Sequence, residues 1–358
     1  MAKHIKVLIV DDSPLTRLLY TELLNSDSDI EVVGEASNPI EAEERIKQLK
    51  PNVITLDVKM PKMDGISFLE KMMKEKPMPV VMVSALTQKG AMATIKSLEL
   101  GAVDYVSKPL ERQKEEGLLA LKDDLIRKVR IASQAKVRGV YKPKPNILKA
   151  PPVSLDTEKL IAIGASTGGV EALGRILSRI PNNFPPILIV QHMPKRFTES
   201  FANRLNTFCE IKVQEAADGM RIYSGNAYIA PGGKQFRVVR NKSGQYFCKI
   251  EGDERVSGHC PSVDVMFDSV ADVTGGKGIG IILTGMGKDG AEGLLKMRSK
   301  GAMTIAQDEQ SSVVYGMPKA AVMAKAVDIE VPLENIAEEI LYCLTHPKIK
   351  DLGQENIY

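Results

Sequence analysis

Residues 159–171 read KLIAIGASTGGVE, from Lys159 to Glu171. Leu160-Ile161-Ala162-Ile163 is a short apolar run of the kind that makes a buried strand. Gly164-Ala165-Ser166-Thr167-Gly168-Gly169 turns the chain, and the pattern from Val170 to Leu177 is helical. Strand, glycine turn and helix are the setting of a nucleophile elbow, and Gly164 to Gly168 fits G-x-S-x-G. In such a turn the Ser166 hydroxyl stands at the strand's carboxyl end, beside amide N–H groups that open a helix and can hold a developing oxyanion. A phosphate loop needs the same order of elements, although neither G-x-G-x-x-G nor G-x-x-x-x-G-K-[ST] occurs in this stretch. From these residues alone, a nucleophile, an anion loop and a plain turn all stay open.

The surrounding chain bounds the problem. Its 358 residues are enough for two domains with good-sized cores. The apolar and charged fractions, 44% and 26%, are ordinary for globular protein. A net charge of +3 is too small to argue for nucleic acid. Cys209, Cys248, Cys260 and Cys343 lie far apart with no C-x-x-C, which points to free thiols in a reducing compartment. A strand-like run begins at Ile5, so no signal peptide is expected, and no apolar run approaches transmembrane length. A soluble, cytoplasmic protein without membrane insertion is the expectation.

Upstream of the serine turn, strand and helix patterns alternate. Strands are predicted at Ile5–Val10, Glu31–Glu35, Val53–Leu56, Val80–Val83 and Ala102–Val106. Helical patterns lie near Pro14–Leu24, Ile40–Leu49, Gly65–Lys74, Gln88–Leu98 and Leu110–Leu121. Five βα units make one doubly wound parallel sheet over residues 1–122, whose chemistry belongs at the carboxyl ends of the strands. Those ends carry Asp11-Asp12, Asp57, Ser84 and Lys108-Pro109. Crowded carboxylates repel one another without a cation, and oxygen ligands suit Mg²⁺. Lys108 can pair with an anion brought to the site. An aspartate at a strand end is usually a helix cap or turn former, but four strand ends together make that reading poor.

This domain resembles the response-regulator receiver family. The resemblance rests on Val10-Asp11-Asp12-Ser13, on Leu56 to Gly65 (LDVKMPKMDG), on Ser84-Ala85 and on Tyr105-Val106-Ser107-Lys108-Pro109. It implies a flavodoxin-like fold in which Asp57 accepts a phosphoryl group and Asp11, Asp12 and Asp57 hold Mg²⁺. It also implies that Ser84 and Lys108 contact the phosphoryl oxygens, and that Tyr105 is the rotating aromatic.

Residues 123–157 are read as a basic, proline-containing linker. Asp123 to Arg138 still has a helical stripe, no acidic residue occurs from Leu125 to Leu155, and Pro143, Pro145, Pro151 and Pro152 break regular structure. The positive charge is either simple solvation or a foothold on an acidic protein or anionic lipid.

The second domain, 158–350, continues from the serine turn. Ile187–Val190 is another strand and ends in Gln191-His192-Met193-Pro194. Of four histidines, His4 is terminal and His346 lies in the C-terminal segment, which leaves His192 and His259 as bases. His192 stands at a strand end, on the side of Ser166. His259 sits in a loop, is the weaker candidate, and is expected to be dispensable. Asn226–Ala230, Phe236–Val239 and Tyr246–Ile250 read as an antiparallel excursion. Ile279–Leu283 leads into a second glycine-rich turn, Thr284-Gly285-Met286-Gly287-Lys288-Asp289-Gly290. Asp289 is read either as the N-cap of the helix it precedes or as the group that orients a histidine. Ser166, His192 and Asp289 then supply a nucleophile, a base and an orienting carboxylate, in an order unlike that of the α/β-hydrolases.

The second domain resembles the catalytic domain of the chemotaxis protein-glutamate methylesterases, the CheB family. The matching runs are Ile163–Gly169, Val190–Pro194, Tyr228–Gly232, Pro261–Asp264, Leu283–Ala291 and Tyr315–Pro318. The resemblance implies a Rossmann-like three-layer α/β domain with catalytic Ser166, His192 and Asp289. Oxyanion donors would be the amides near Thr167 and Met286. The implied substrates are glutamate methyl esters, and certain glutamines, on the cytoplasmic helices of chemoreceptors. A histidine kinase would be the phosphodonor, and no cofactor would serve the ester step. A regulator with a DNA- or nucleotide-binding output is the rival; the alternating pattern lacks a compact helical reader or a fuller phosphate motif.

Overall fold

The computed structural model describes residues 4–60, 63–84, 88–108, 115–139, 147–148 and 159–346. The motif residues Pro61, Lys62, Ala85 and Pro109, the linker prolines and the end of the C-terminal tail lie outside them. The chain divides into two compact units, Met1–Pro143 and Lys144–Tyr358.

The first unit runs β1 (Ile5–Val10), α1 (Pro14–Asn25), β2 (Ile30–Ala36), α2 (Pro39–Leu49), β3 (Val53–Asp57), α3 (Gly65–Glu75), β4 (Val80–Ser84), α4 (Gln88–Glu99), β5 (Asp104–Ser107) and α5 (Glu115–Gln134). Its five strands form a parallel sheet in the order β2-β1-β3-β4-β5. Val7–Val10 and Val80–Val83 are wholly buried, as befits strands covered by helices on both faces. Helix starts follow local chemistry: Ser13 accepts from Thr16 N ahead of Pro14, Asn38 accepts from Ile40 N and Glu41 N ahead of Pro39, and Asp64 caps α3. Position 123, where the sequence pattern begins a linker, lies inside α5. Leu121, Leu125, Val129 and Ala132 of that helix are buried.

The second unit runs β6 (Leu160–Ala165), α6 (Gly169–Leu177), β7 (Ile187–Gln191), α7 (Lys195–Asn206), β8 (Lys212–Glu215), β9 (Asn226–Ile229), β10 (Gln235–Arg240), β11 (Tyr246–Glu251), α8 (Val263–Thr274), β12 (Gly278–Ile282), α9 (Ala291–Ser299), β13 (Met303–Gln307), α10 (Met317–Met323), β14 (Ile329–Val331) and α11 (Ile336–Thr345). Seven strands form one sheet in the order β14-β13-β12-β6-β7-β9-β8, with every described pairing parallel. The antiparallel excursion is therefore smaller than its sequence pattern implies. Asn226–Ile229 pairs in parallel with β7 and β8 in the main sheet, and only β10 and β11 form a hairpin. Phe236 and Val238 from β10, and Tyr246 and Cys248 from β11, join Met266, Phe267 and Val270 of α8 in one apolar core. The hairpin thus holds the start of α8 over the carboxyl ends of the strands.

Candidate active site

Ser166 and His192 are the first residues beyond β6 and β7. Ala165 and Gln191 are register partners, and His192 N donates to Ala165 O at 3.0 Å, so the two residues leave the sheet side by side. Buried Gln191 ties them together: its Nε2 donates to Ser166 O at 3.0 Å and to His192 O at 3.2 Å. Ser166 N donates to Thr284 O at 3.0 Å, which fastens the serine turn to the second glycine turn. Gly164 leaves room for the next layer. A Cβ there would lie 2.2 Å from Cγ1 of Val263, the first residue of α8.

Asp289 is 1% exposed, and its carboxylate accepts four hydrogen bonds. Oδ2 takes His192 Nε2 at 2.8 Å and Val263 N at 2.8 Å; Oδ1 takes Ser262 Oγ at 2.7 Å and Asp264 N at 3.0 Å. Asp289 thus does cap a helix, but the helix is α8, not the α9 that it precedes. Asp264 returns the arrangement, its Oδ1 accepting from Gly293 N in the first turn of α9 at 2.8 Å. Burial opposes a charge on Asp289. The hydrogen bond and charge of His192, then the Asp264 amide and the Ser262 hydroxyl, nevertheless hold its carboxyl below the ordinary range. Burial pushes the Asp264 carboxyl up, and the neighbouring Asp289 adds to that rise.

With Nε2 committed to Asp289, Nδ1 of His192 is buried and has no hydrogen-bond partner. The ring of His259 lies flat against that of His192, with centroids 3.7 Å apart and planes at 4°. Sequence pattern places His259 in a loop, and nothing in spacing or periodicity brings it to this ring. Thr167 is buried and accepts at its carbonyl from Thr284 Oγ1 at 2.9 Å. Met286 is exposed on the second turn, next to Gly285, at which an added Cβ would come 2.7 Å from Ser166 Cβ. The two residues expected to supply oxyanion donors thus flank Ser166 on adjoining turns.

A second cluster lies in the first unit. Ligand oxygens of Asp11, Asp12 and Asp57 lie within 4.8 Å of one another. Lys108 Nζ bridges Asp57 Oδ2 at 2.7 Å and Asp11 Oδ2 at 2.9 Å. Three hard oxygen donors on strand ends fit Mg²⁺. Burial pushes the Asp57 carboxyl up; Lys108 counters this, and Asp11 adds to it. Ser84 is buried at the end of β4, its hydroxyl donating to Gly90 O at 3.3 Å. Tyr105 is buried, with Lys128 Nζ 4.7 Å from its ring centroid and donating to its carbonyl. Asp12 is exposed. Among the described residues no helix is long and apolar enough to cross a membrane.

Residues 161–340 match the family model described as CheB methylesterase, and residues 7–119 match the response regulator receiver domain. A protein-glutamate methylesterase/protein-glutamine glutaminase of Bordetella avium is 49% identical over 95% of this chain and 97% of its own length. One from Salmonella typhimurium is 50% identical over 94% of this chain and 96% of its own. The crystal structure of the Thermotoga maritima CheB methylesterase catalytic domain is similar to 51% of this chain over 97% of its own length, at 38% identity and a TM-score of 0.50.

Proposed function

The chain belongs to the CheB methylesterase family, and we propose that it is a phosphorylation-activated serine hydrolase built around Ser166. Its substrates are glutamate methyl esters, and certain glutamines, on the cytoplasmic helices of chemoreceptors. The work is adaptation in chemotaxis, in the cytoplasm and without a nucleic-acid partner. The domains that carry it are the receiver, 1–122, and the catalytic domain, 158–350, joined by the basic segment.

The observation that carries this reading is the paired imidazole beside the serine turn: His192 Nε2 on Asp289 Oδ2, with Nδ1 unpaired. Ser166 Oγ attacks the ester carbonyl while His192 Nδ1 accepts its proton. Asp289, held as a carboxylate, stabilises the imidazolium. Amides at Thr167 and Met286 bind the oxyanion. His192 then gives the proton to the departing methoxide, or to the amine in the glutamine reaction, and methanol or ammonia leaves. Water, deprotonated by the same nitrogen, attacks the acyl-enzyme and frees glutamate and Ser166.

In the receiver, Asp57 takes the phosphoryl group from a histidine kinase. Asp11, Asp12 and Asp57 would hold Mg²⁺, which when bound neutralises charge on the phosphoryl oxygens. Lys108 and Ser84 contact those oxygens, and Tyr105 reports the change to the rest of the domain. The deciding experiment is methanol release from methylated receptor membranes by the wild type and Ser166→Ala. Normal turnover in the variant would sink the acyl-enzyme mechanism.

A further inference from the structure

The flat contact between His192 and His259 is not used by the mechanism above. Two imidazoles at a centroid separation of 3.7 Å and an interplanar angle of 4° are in full van der Waals contact. Rotation of the His192 ring about its Cβ–Cγ bond drives its edge into the face of His259. That rotation is the motion that would take Nε2 off Asp289 Oδ2 and swing Nδ1 with it.

His259 is itself held from several sides. Val256 and His259 exchange backbone hydrogen bonds at 3.0 and 2.9 Å. Buried Gln235 donates from Nε2 to Glu254 O at 2.8 Å and to His259 O at 3.3 Å, while its Oε1 accepts from Ser262 N at 2.9 Å. Ser257 Oγ donates to Asp264 Oδ2 at 2.9 Å. Gly233 N donates to Cys260 O at 3.1 Å. The loop is therefore fastened to the start of α8, whose amides also hold Asp289. The orienting carboxylate and the stacking ring share one support.

We propose that His259 is a positioning residue for the ester reaction: its ring face fixes the plane of His192 so that Nε2 stays on Asp289 and Nδ1 stays available to Ser166. This rests on His192 being the base. The contact is with the base and not with the substrate, so its loss acts on turnover more than on substrate binding.

The test uses the full chain, activated with acetyl phosphate and Mg²⁺, on methylated receptor membranes. His259→Ala should lower kcat by on the order of 10- to 100-fold, the usual effect of a misplaced catalytic group, with KM little changed. His259→Phe, which restores a flat ring without ring nitrogens, should recover most of that loss. In the resting enzyme, the proton NMR signal of His192 Nε2–H should broaden or vanish in the alanine variant and return in the phenylalanine variant. Thermal unfolding of each protein separates misfolding from mispositioning. Full kcat in His259→Ala, or a phenylalanine variant as slow as the folded alanine variant, would overturn the proposal. If the wild type releases no methanol, the proposed activity fails, and the NMR comparison still decides the contact: an unchanged His192 signal in His259→Ala rejects it.

Discussion

Nε2 of His192 lies 2.8 Å from Oδ2 of Asp289, so Nδ1 is the ring nitrogen left for the proton transfer proposed from Ser166. This reverses the ring orientation of the Ser-His-Asp arrangement in which Nδ1 faces the aspartate. Asp289→Asn should therefore be damaging in two ways. All four groups on the carboxylate are donors, and an amide NH₂ cannot accept from them. The tautomer of His192 is also no longer enforced. We expect kcat to fall by roughly 10⁴-fold, the scale for a wrong tautomer. Stability should fall by about 1–3 kcal/mol for each buried donor left unpaired. Single-turnover methanol release and urea unfolding give the two numbers; a rate within tenfold of the wild type would rule out the orienting role.

The same carboxylate sets an acid-range dependence. Its folded-state pKa lies below its unfolded value, since burial is outweighed by His192, the Asp264 amide and the Ser262 hydroxyl. A depressed carboxylate contributes stability that is present above the unfolded pKa and is lost as pH falls through the folded one. Stability of the catalytic unit should thus fall from neutral pH into the acid range more steeply in the wild type than in Asp289→Asn. Urea midpoints measured across that range test the sign, and parallel curves would remove the effect.

The sequence made both parallel sheets legible, because apolar runs such as Leu160–Ile163 and Ile279–Leu283 are buried on both faces. It did not reveal β8, where Val213 is the buried residue among four, or the three-residue β14. Such short edge strands carry no periodicity to read. Asn226–Ala230 reads as part of the antiparallel excursion because its neighbours in sequence form a hairpin, whereas the partners of Asn226–Ile229 in space are β7 and β8. Ser166, His192 and Asp289 stood out as polar residues at strand ends. Gln191 and Ser262 did not, and His259 reads in the sequence only as a weaker, dispensable base, since a clamp, a donor to Asp289 and a stacked ring depend on long-range packing.

Gly285→Ala should separate activity from folding. The added Cβ would come 2.3 Å from Met317 Sδ and 2.7 Å from Ser166 Cβ. The thioether belongs to a flexible side chain and can move, but the Cβ of Ser166 is fixed by its backbone bond to Thr284. The nucleophile is therefore pushed from its place. A displacement of that kind costs about 100-fold in kcat. Fluorophosphonate labelling of Ser166 should slow in step, and unchanged labelling would show that the turn absorbs the methyl group.

Removal of metal should divide the chain's two chemistries. Asp57 and Asp11 share the Lys108 ammonium at 2.7 and 2.9 Å, so the cluster already holds one cation against its repulsion. Phosphoryl transfer to Asp57 brings further negative charge that Lys108 alone does not neutralise. Acetyl phosphate should stimulate methanol release by the wild type only when Mg²⁺ is present. EDTA should abolish the stimulation and leave the basal rate intact, because the proposed ester step is assigned to Ser166, His192 and Asp289 alone. Asp57→Ala should behave like the chelated enzyme. Lys108→Ala gives the sharper check. Without the ammonium, the buried carboxylates repel one another more strongly and should bind Mg²⁺ several-fold more tightly, as read by calorimetry. The same variant should lose stimulation, since the phosphoryl oxygens then lack their lysine contact. Weaker Mg²⁺ binding in Lys108→Ala, or stimulation that survives EDTA, would show that these residues are not the phosphorylation site that controls the esterase.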